Sequence, residues 1–317
     1  MTSVAYVFPG QGSQSVGMGE ALAASSPAAA AVFAEADAAL GEPLSRLAWE
    51  GPEDVLNRTE QAQPALLATS MAYLAVLRER ATGDVAAPGF MAGHSMGQYS
   101  AMVAAGVLSL ADGVRLVRER GRRMQASGSA RDGAMAAILN LDEAALPELT
   151  RLASVHGTFA VANRNAPGQV VVSGERAAID AAAEIAKSLG AKRAIVLPVS
   201  VAAHSPLMAD AAAGMREVLA AVEFHDPSVP LLANADARPL TTGEACRAEL
   251  VEHLTAGVDW VRAVESMHAA GITTFVEVGP GKVLTNLVKR IAPDATAWAL
   301  DEPGAADRFA LPIPVPA

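Results

Sequence analysis

The sequence predicts an α/β protein: a parallel sheet covered by helices on both faces, interrupted by a smaller ferredoxin-like unit. Three observations carry this expectation. Short apolar runs ending in glycine or proline turns alternate with alanine- and leucine-rich helical stretches. In the middle of the chain that rhythm gives way to the order βαββαβ. The 317 residues, 51% hydrophobic and 18% charged, can bury one large and one small core without disulfide or metal staples.

In order, Val4–Phe8 is an apolar run stopped by Pro9-Gly10, which reads as a buried strand and its turn. A helical stretch follows from Gly17 to Leu40. A second, from Gln63 to Arg80, carries Leu66, Leu67, Met71, Leu74 and Leu77 at helical spacing. The strand Phe90-Met91-Ala92 leads into Gly93-His94-Ser95-Met96-Gly97, a helix to about Ala105 and another from Ser109 to Ala126. After a break at Ser127–Asp132 come a strand (Ala134–Asn140), a helix (Glu143–Val155) and two strands, Phe159–Asn163 and Val170–Ser173, paired across Asn165-Ala166-Pro167-Gly168. A helix (Ala177–Leu189) and a strand (Ala194–Val199) complete the small unit. Its expected bounds are 130–198, inside a large domain of 1–129 and 199–301. The large domain resumes with helix Met208–Val222, strand Leu231–Ala233, helices Glu249–Leu254 and Val261–Ala270, strand Thr273–Val278, helix Lys282–Ile291 and strand Ala297–Leu300. Residues 302–317, rich in proline, are expected to form an extended tail.

Several function classes are disfavoured at once. A net charge of −10 and 4% aromatic residues argue against nucleic-acid binding. The single cysteine, Cys246, excludes a disulfide framework and a multi-thiolate metal site, and no paired histidines at helical spacing suggest a metal. Val85–Ala111 has no charged residue and is long enough to span a bilayer, but its prolines, glycines, His94 and Gln98 fit strand, turn and helix in a core. With no basic segment before an apolar run at the start, a cytoplasmic protein without membrane contact is expected. The glycines at 10–17 lack the third glycine of a dinucleotide fingerprint, and Met18 replaces a phosphate-loop lysine.

Gly93-His94-Ser95-Met96-Gly97 is a G-x-S-x-G sequence between a predicted strand and helix. That context suits a sharp turn that exposes a serine oxygen beside a helix N-terminus. Ser95 is therefore a candidate nucleophile. Its base must come from six histidines: His94, His156, His204, His225, His253 and His268. His204 follows a predicted strand and precedes the helix-opening Ser205-Pro206, the place where α/β sheets gather ligands. Position alone leaves a solvated loop histidine as the alternative.

Seven segments occur in order: Tyr6–Gln14, Gln63-Pro64-Ala65-Leu66, Gly93–Gly97, Arg120–Gln125, Asn163–Val170, Pro198–Met208 and Glu277–Gly281. Together they resemble the malonyl-CoA:acyl carrier protein transacylase family of fatty acid and polyketide synthesis, over residues 4–291. The resemblance implies an α/β-hydrolase-like large domain carrying the ferredoxin-like insert. It implies Ser95 as nucleophile, His204 as general base and then acid, and the backbone N–H groups of Gln11 and Met96 as oxyanion hole. Arg120 would hold the free carboxylate of malonyl, Gln63 would line the pocket, and the His253 backbone carbonyl would orient the base. The implied substrates are malonyl-CoA and the phosphopantetheine thiol of an acyl carrier protein. No tightly bound cofactor or metal is expected, and the protein is expected to act as a monomer.

Two departures from the family pattern stand out. His253-Leu254 occupies the place of a common glutamine-leucine pair, and Ala202-Ala203 precede His204 where bulkier or more polar residues are usual. The alanines suggest room for an α-substituted malonyl unit. An acyl hydrolase that clears carrier proteins is the main rival, and Arg120 argues against it. A catalytically silent docking subunit is the other, disfavoured because Ser95 and His204 are intact. Some of Arg120, Arg122, Arg123, Lys187, Lys192, Arg193, Lys282, Lys289 and Arg290 are expected to rim the entrance and attract acidic partners.

Overall fold

The computed structural model describes residues 3–80, 87–130, 132–197, 199 and 201–301. The expected tail at 302–317, and Pro198 and Ser200 at and just past the end of the small unit's expected last strand, lie outside the described residues. Eleven strands, numbered in chain order, form two sheets among the described residues.

The large sheet contains β1 (Val4–Phe8), β2 (Phe90–Gly93), β7 (Leu231–Leu232), β8 (Pro239–Leu240), β10 (Thr274–Glu277) and β11 (Thr296–Ala299), in the order β11-β10-β1-β2-β7-β8. All neighbours pair in parallel except the β7–β8 hairpin. Every residue of β1 is buried, and alternate residues enter different cores. Val4, Tyr6 and Phe8 join the cluster built on the helices of one face, while Ala5 and Val7 join that of the other. A strand covered on both faces is a continuous apolar run, which is why Val4–Phe8 shows no polar alternation.

The small sheet contains β3 (Gly133–Leu139), β4 (Phe159–Ala166), β5 (Gln169–Glu175), β6 (Arg193–Val196) and β9 (Val258–Asp259), in the order β6-β3-β5-β4-β9. The first four are antiparallel and carry the βαββαβ connectivity of a ferredoxin-like unit. β9, far along the chain, adds to β4 in parallel through Asn163↔Val258 and Arg164↔Asp259. This cross-sheet stitch was not legible in the sequence, because a two-residue strand has no periodicity to read.

Helices fill the connections: α1 (Glu20–Ser25), α2 (Pro27–Leu40), α3 (Leu44–Glu50), α4 (Glu53–Leu56), α5 (Thr59–Arg80), α6 (Gly97–Ala104), α7 (Leu110–Ala130), α8 (Leu146–Ala153), α9 (Arg176–Ser188), α10 (Ala209–Ala220), α11 (Gly243–Ala256), α12 (Trp260–Ala269) and α13 (Val283–Ile291). The single helix expected over 17–40 is two. Pro27 opens α2 and the Ser26 hydroxyl caps it by accepting the Ala29 N–H at 3.2 Å, so the chain restarts there. The helix expected at 249–254 starts at Gly243, because the Thr242 hydroxyl accepts the Ala245 N–H and supplies the N-cap. The uncharged run at 85–111 holds β2 and α6, and among the described residues no helix is long and apolar enough to cross a membrane.

Candidate active site

β2 ends at Gly93 and α6 begins at Gly97, leaving three residues to reverse the chain. Ser95 takes up the bend with φ 53°, a left-handed conformation that costs a non-glycine residue about 1–3 kcal/mol. The flanking glycines are required by space. A Cβ on Gly93 would lie 2.0 Å from the Gly97 carbonyl, and one on Gly97 would lie 2.2 Å from the Phe8 oxygen. The turn after β1 presses as closely, since a Cβ on Gly10 would meet the His94 oxygen at 2.6 Å. Gln11 therefore sits next to the elbow, exposed, with its side chain donating to the Thr59 hydroxyl at 3.3 Å. Met96 is buried at the N-cap of α6, and no acceptor among the described residues takes its N–H.

Asn234 and Gln98, both buried, clamp the elbow. Asn234 Oδ1 accepts the Ser95 N–H at 2.8 Å, and Asn234 Nδ2 donates to the Gly93 carbonyl at 3.0 Å. Gln98 Oε1 accepts the Gly93 N–H at 3.1 Å, and its Nε2 donates to the Leu232 carbonyl at 2.9 Å. The Asn234 N–H in turn donates to Glu249 Oε1 at 2.7 Å. Sequence reading missed Asn234, although a polar residue directly after a strand's carboxyl end, β7 here, is a signal that could have flagged it. Because two hydrogen bonds hold the nucleophile's backbone, Asn234→Ala is expected to lower kcat about 10–100-fold with a smaller change in KM. Steady-state kinetics of the purified variant checks this.

The Ser95 hydroxyl lies 2.8 Å from His204 Nε2. His204 is also left-handed, at φ 57°, and is buried at 3% exposure. Its Nδ1–H donates to the His253 carbonyl at 2.7 Å, which leaves Nε2 bare to accept the serine proton. Burial first, and the Arg120 charge second, hold the imidazole down at about 3, so it is neutral at physiological pH. His94 and His253 are lowered in the same direction, chiefly by burial. Below about pH 6.5 the unfolded chain therefore binds protons at these histidines that the folded chain does not. The contribution of His204 to stability is full above that pH and falls as pH drops toward about 3, and those of His94 and His253 change in the same direction. Glu249 and Glu277, whose carboxyls burial raises to about 7, act in the opposite sense. The change in urea midpoint between pH 5 and 6.5 is expected to be less positive in His204→Gln than in the wild type, and the difference between the two proteins reads the His204 contribution with the carboxyl contributions common to both.

Arg120 reaches the same point from α7 and is fully buried, at 0% exposure. Its Nη2 donates to the Ser95 Oγ at 3.0 Å and lies 3.3 Å from His253 Nε2. Its Nη1 donates to Gln63 Oε1 at 2.8 Å, and its Cζ stands 5.9 Å from the centre of the Tyr99 ring. No carboxylate among the described residues pairs with it, and its Nε has no partner. Burial lowers its pKa to about 10. Gln63 is equally buried, and its amide nitrogen faces the Met124 sulfur at 3.7 Å. Arg120, expected from the resemblance as the carboxylate-binding residue and also named among basic residues some of which would rim the entrance, is buried within hydrogen-bond distance of the Ser95 oxygen rather than at a rim. Of the other basic residues, Arg122, Arg123 and Lys187 pair with Glu60, Glu119 and Glu184, while Arg290 binds Gln169 and the Pro167 carbonyl. Ala202 is 1% exposed and packs on β3, where a Cβ on Gly133 would come 2.9 Å from its methyl. Among the described residues no group of histidine, cysteine or carboxylate side chains could hold a metal ion.

A serine donating to a neutral imidazole, with a buried, unpaired guanidinium on the same oxygen, can take an acyl group that carries a negative charge. The family model described as the acyl transferase domain matches residues 5–299. The malonyl CoA-acyl carrier protein transacylase of Escherichia coli strain K12 is 48% identical over 305 residues, covering 96% of this chain and 98% of that protein. The chain belongs to the malonyl-CoA:acyl carrier protein transacylase family. Solved structures of the family have the same two-sheet α/β fold. The acyl-carrier-protein S-malonyltransferase of Bartonella henselae superposes with a TM-score of 0.92 at 43% identity, covering 96% of this chain and 98% of its own. A malonyl-transacylase solved in complex with a type II polyketide acyl carrier protein gives 0.92 at 41% identity, covering 98% and 99%.

Proposed function

We propose that the protein moves a malonyl group from malonyl-CoA to the phosphopantetheine thiol of an acyl carrier protein, through an ester on Ser95. The observation that carries this reading is Arg120, a fully buried guanidinium without a carboxylate partner among the described residues, a hydrogen bond away from the Ser95 oxygen. Malonyl has its free carboxylate one methylene from the reacting carbonyl. Its charge therefore falls beside the nucleophile, where a planar fork can bind it.

In the first half-reaction Ser95 Oγ attacks the thioester carbonyl as its proton passes to His204 Nε2. The His253 carbonyl, accepting from Nδ1, stabilises the imidazolium that forms. The backbone N–H groups of Gln11 and Met96 receive the oxyanion. Collapse breaks the C–S bond, and the proton on Nε2 leaves with the coenzyme A thiol. In the second half His204 takes the proton of the carrier's thiol, sulfur attacks the carbonyl carbon of the Ser95 ester, and collapse breaks the bond from that carbon to Ser95 Oγ as the proton returns to the serine oxygen. The protein works as a cytoplasmic monomer with no tightly bound cofactor.

Malonylating the protein and then adding carrier protein or buffer alone tests the reaction. The label is expected to move to the carrier much faster than it is lost to water. Loss at equal rates would mark an acyl hydrolase. With the Ala202 methyl taken up by β3, room for an α-substituent rests on Ala203. Discrimination between malonyl- and methylmalonyl-CoA is expected to stay under ~100-fold in kcat/KM, a difference of about 2.7 kcal/mol. A larger preference for malonyl would show that Ala203 opens no such space.

A further inference from the structure

His253 stands where a glutamine is common in the family, and its backbone and side chain serve different partners. Its carbonyl accepts from the catalytic imidazole, which any residue at this position could do. The side chain is buried at 0% exposure and has two ring contacts of its own. Nδ1 lies 2.9 Å from the Glu249 carbonyl one turn back in α11, an acceptor only, so Nδ1 carries the proton. That fixes Nε2 as an unprotonated acceptor, and it faces Arg120 Nη2 at 3.3 Å. Burial first, and the neighbouring Arg120 charge second, keep the ring neutral. The Tyr99 ring, edge-on to His253 at 6.4 Å, also underlies Arg120 and limits the movement of both.

We propose that the His253 side chain is a positioning residue for the carboxylate-binding arginine, and so sets the preference of the site for a malonyl over an uncharged acyl group. Resting on the malonyl-transfer reading above, the proposal assigns that selectivity to a residue outside the charge pair itself. Two neutral acceptors, Gln63 Oε1 on Nη1 and His253 Nε2 on Nη2, orient the guanidinium while leaving its charge uncompensated. A carboxylate at either place would align the arginine equally well but neutralise it, and the substrate would then gain little. A side chain at 253 with no acceptor would leave Nη2 held by Ser95 Oγ alone. Nη2 must also serve the malonyl carboxylate, so a guanidinium without the second restraint presents its fork in many orientations.

The test compares kcat/KM for malonyl-CoA and acetyl-CoA in the wild type and in His253→Leu, His253→Phe, His253→Gln and Arg120→Ala. Every variant keeps a backbone carbonyl for His204, so base orientation is common to the set. The malonyl-to-acetyl ratio is expected to fall about tenfold or more in His253→Leu and His253→Phe. In His253→Gln, which retains an acceptor, it should stay within about threefold of wild type. Phenylalanine preserves ring volume and carries the same test should the leucine variant fail to fold. An unchanged ratio in the leucine or phenylalanine variant, with a collapsed ratio in Arg120→Ala, overturns the role of His253 and leaves the function standing. An unchanged ratio in Arg120→Ala overturns the carboxylate reading itself.

Discussion

Ser95→Ala is expected to lose the covalent malonyl-protein adduct and to lower malonyl transfer by roughly 10^4- to 10^6-fold. The size follows from the geometry. The oxygen removed lies 2.8 Å from His204 Nε2 and 3.0 Å from Arg120 Nη2. The fold should survive. Alanine accepts the left-handed φ of 53° at a cost similar to that of serine, and the Asn234 clamp acts on the backbone rather than on the hydroxyl. Intact-mass measurement after mixing with malonyl-CoA reads the adduct directly, and its persistence in Ser95→Ala would place the nucleophile elsewhere. His204→Ala should also load slowly, because the serine proton then has no acceptor within reach.

Arg120→Ala carries the second large effect. Removing one partner of a buried charge pair costs about 3–5 kcal/mol, so malonyl transfer should fall by roughly 10^2- to 10^4-fold. Transfer of an acetyl group, which has no carboxylate to strand, should fall much less. Arg120→Lys is expected to recover only part of the loss, because an ammonium is a point charge and cannot match two carboxylate oxygens at once. Steady-state kinetics with the two thioesters checks all three statements. Equal losses for malonyl and acetyl would remove the carboxylate role of Arg120.

Much of the site was legible before the structure because its chemistry is bound to local chain geometry. The glycines at 93 and 97 are dictated by a turn of three residues, so strand, G-x-S-x-G and helix appear consecutively and can be read as a unit. The set of seven motifs likewise carried the family. Less could be read where one residue does two things. His253 was legible as a backbone acceptor for the base, yet nothing local revealed that its ring would face Arg120. Asn234 gave only the weak signal of a polar residue after a short strand, and its partner Glu249 gave none.

By itself, then, the sequence determined the α/β class, the ferredoxin-like interruption, the nucleophile elbow and the family. The first three rest on sterics or hydrophobic periodicity within a few residues of chain, and the family on the resemblance carried by seven ordered motifs. The tertiary structure decided which histidine hydrogen-bonds Ser95, what clamps the elbow and that Arg120 is buried against the same oxygen. Those contacts join residues 109, 139 and 25 positions apart. Side chains so distant meet only after the cores have formed, and spacing along the chain says nothing about whether the guanidinium they enclose has a counter-charge. In this fold it has none among the described residues, and that buried, unbalanced charge is the basis of the proposed specificity.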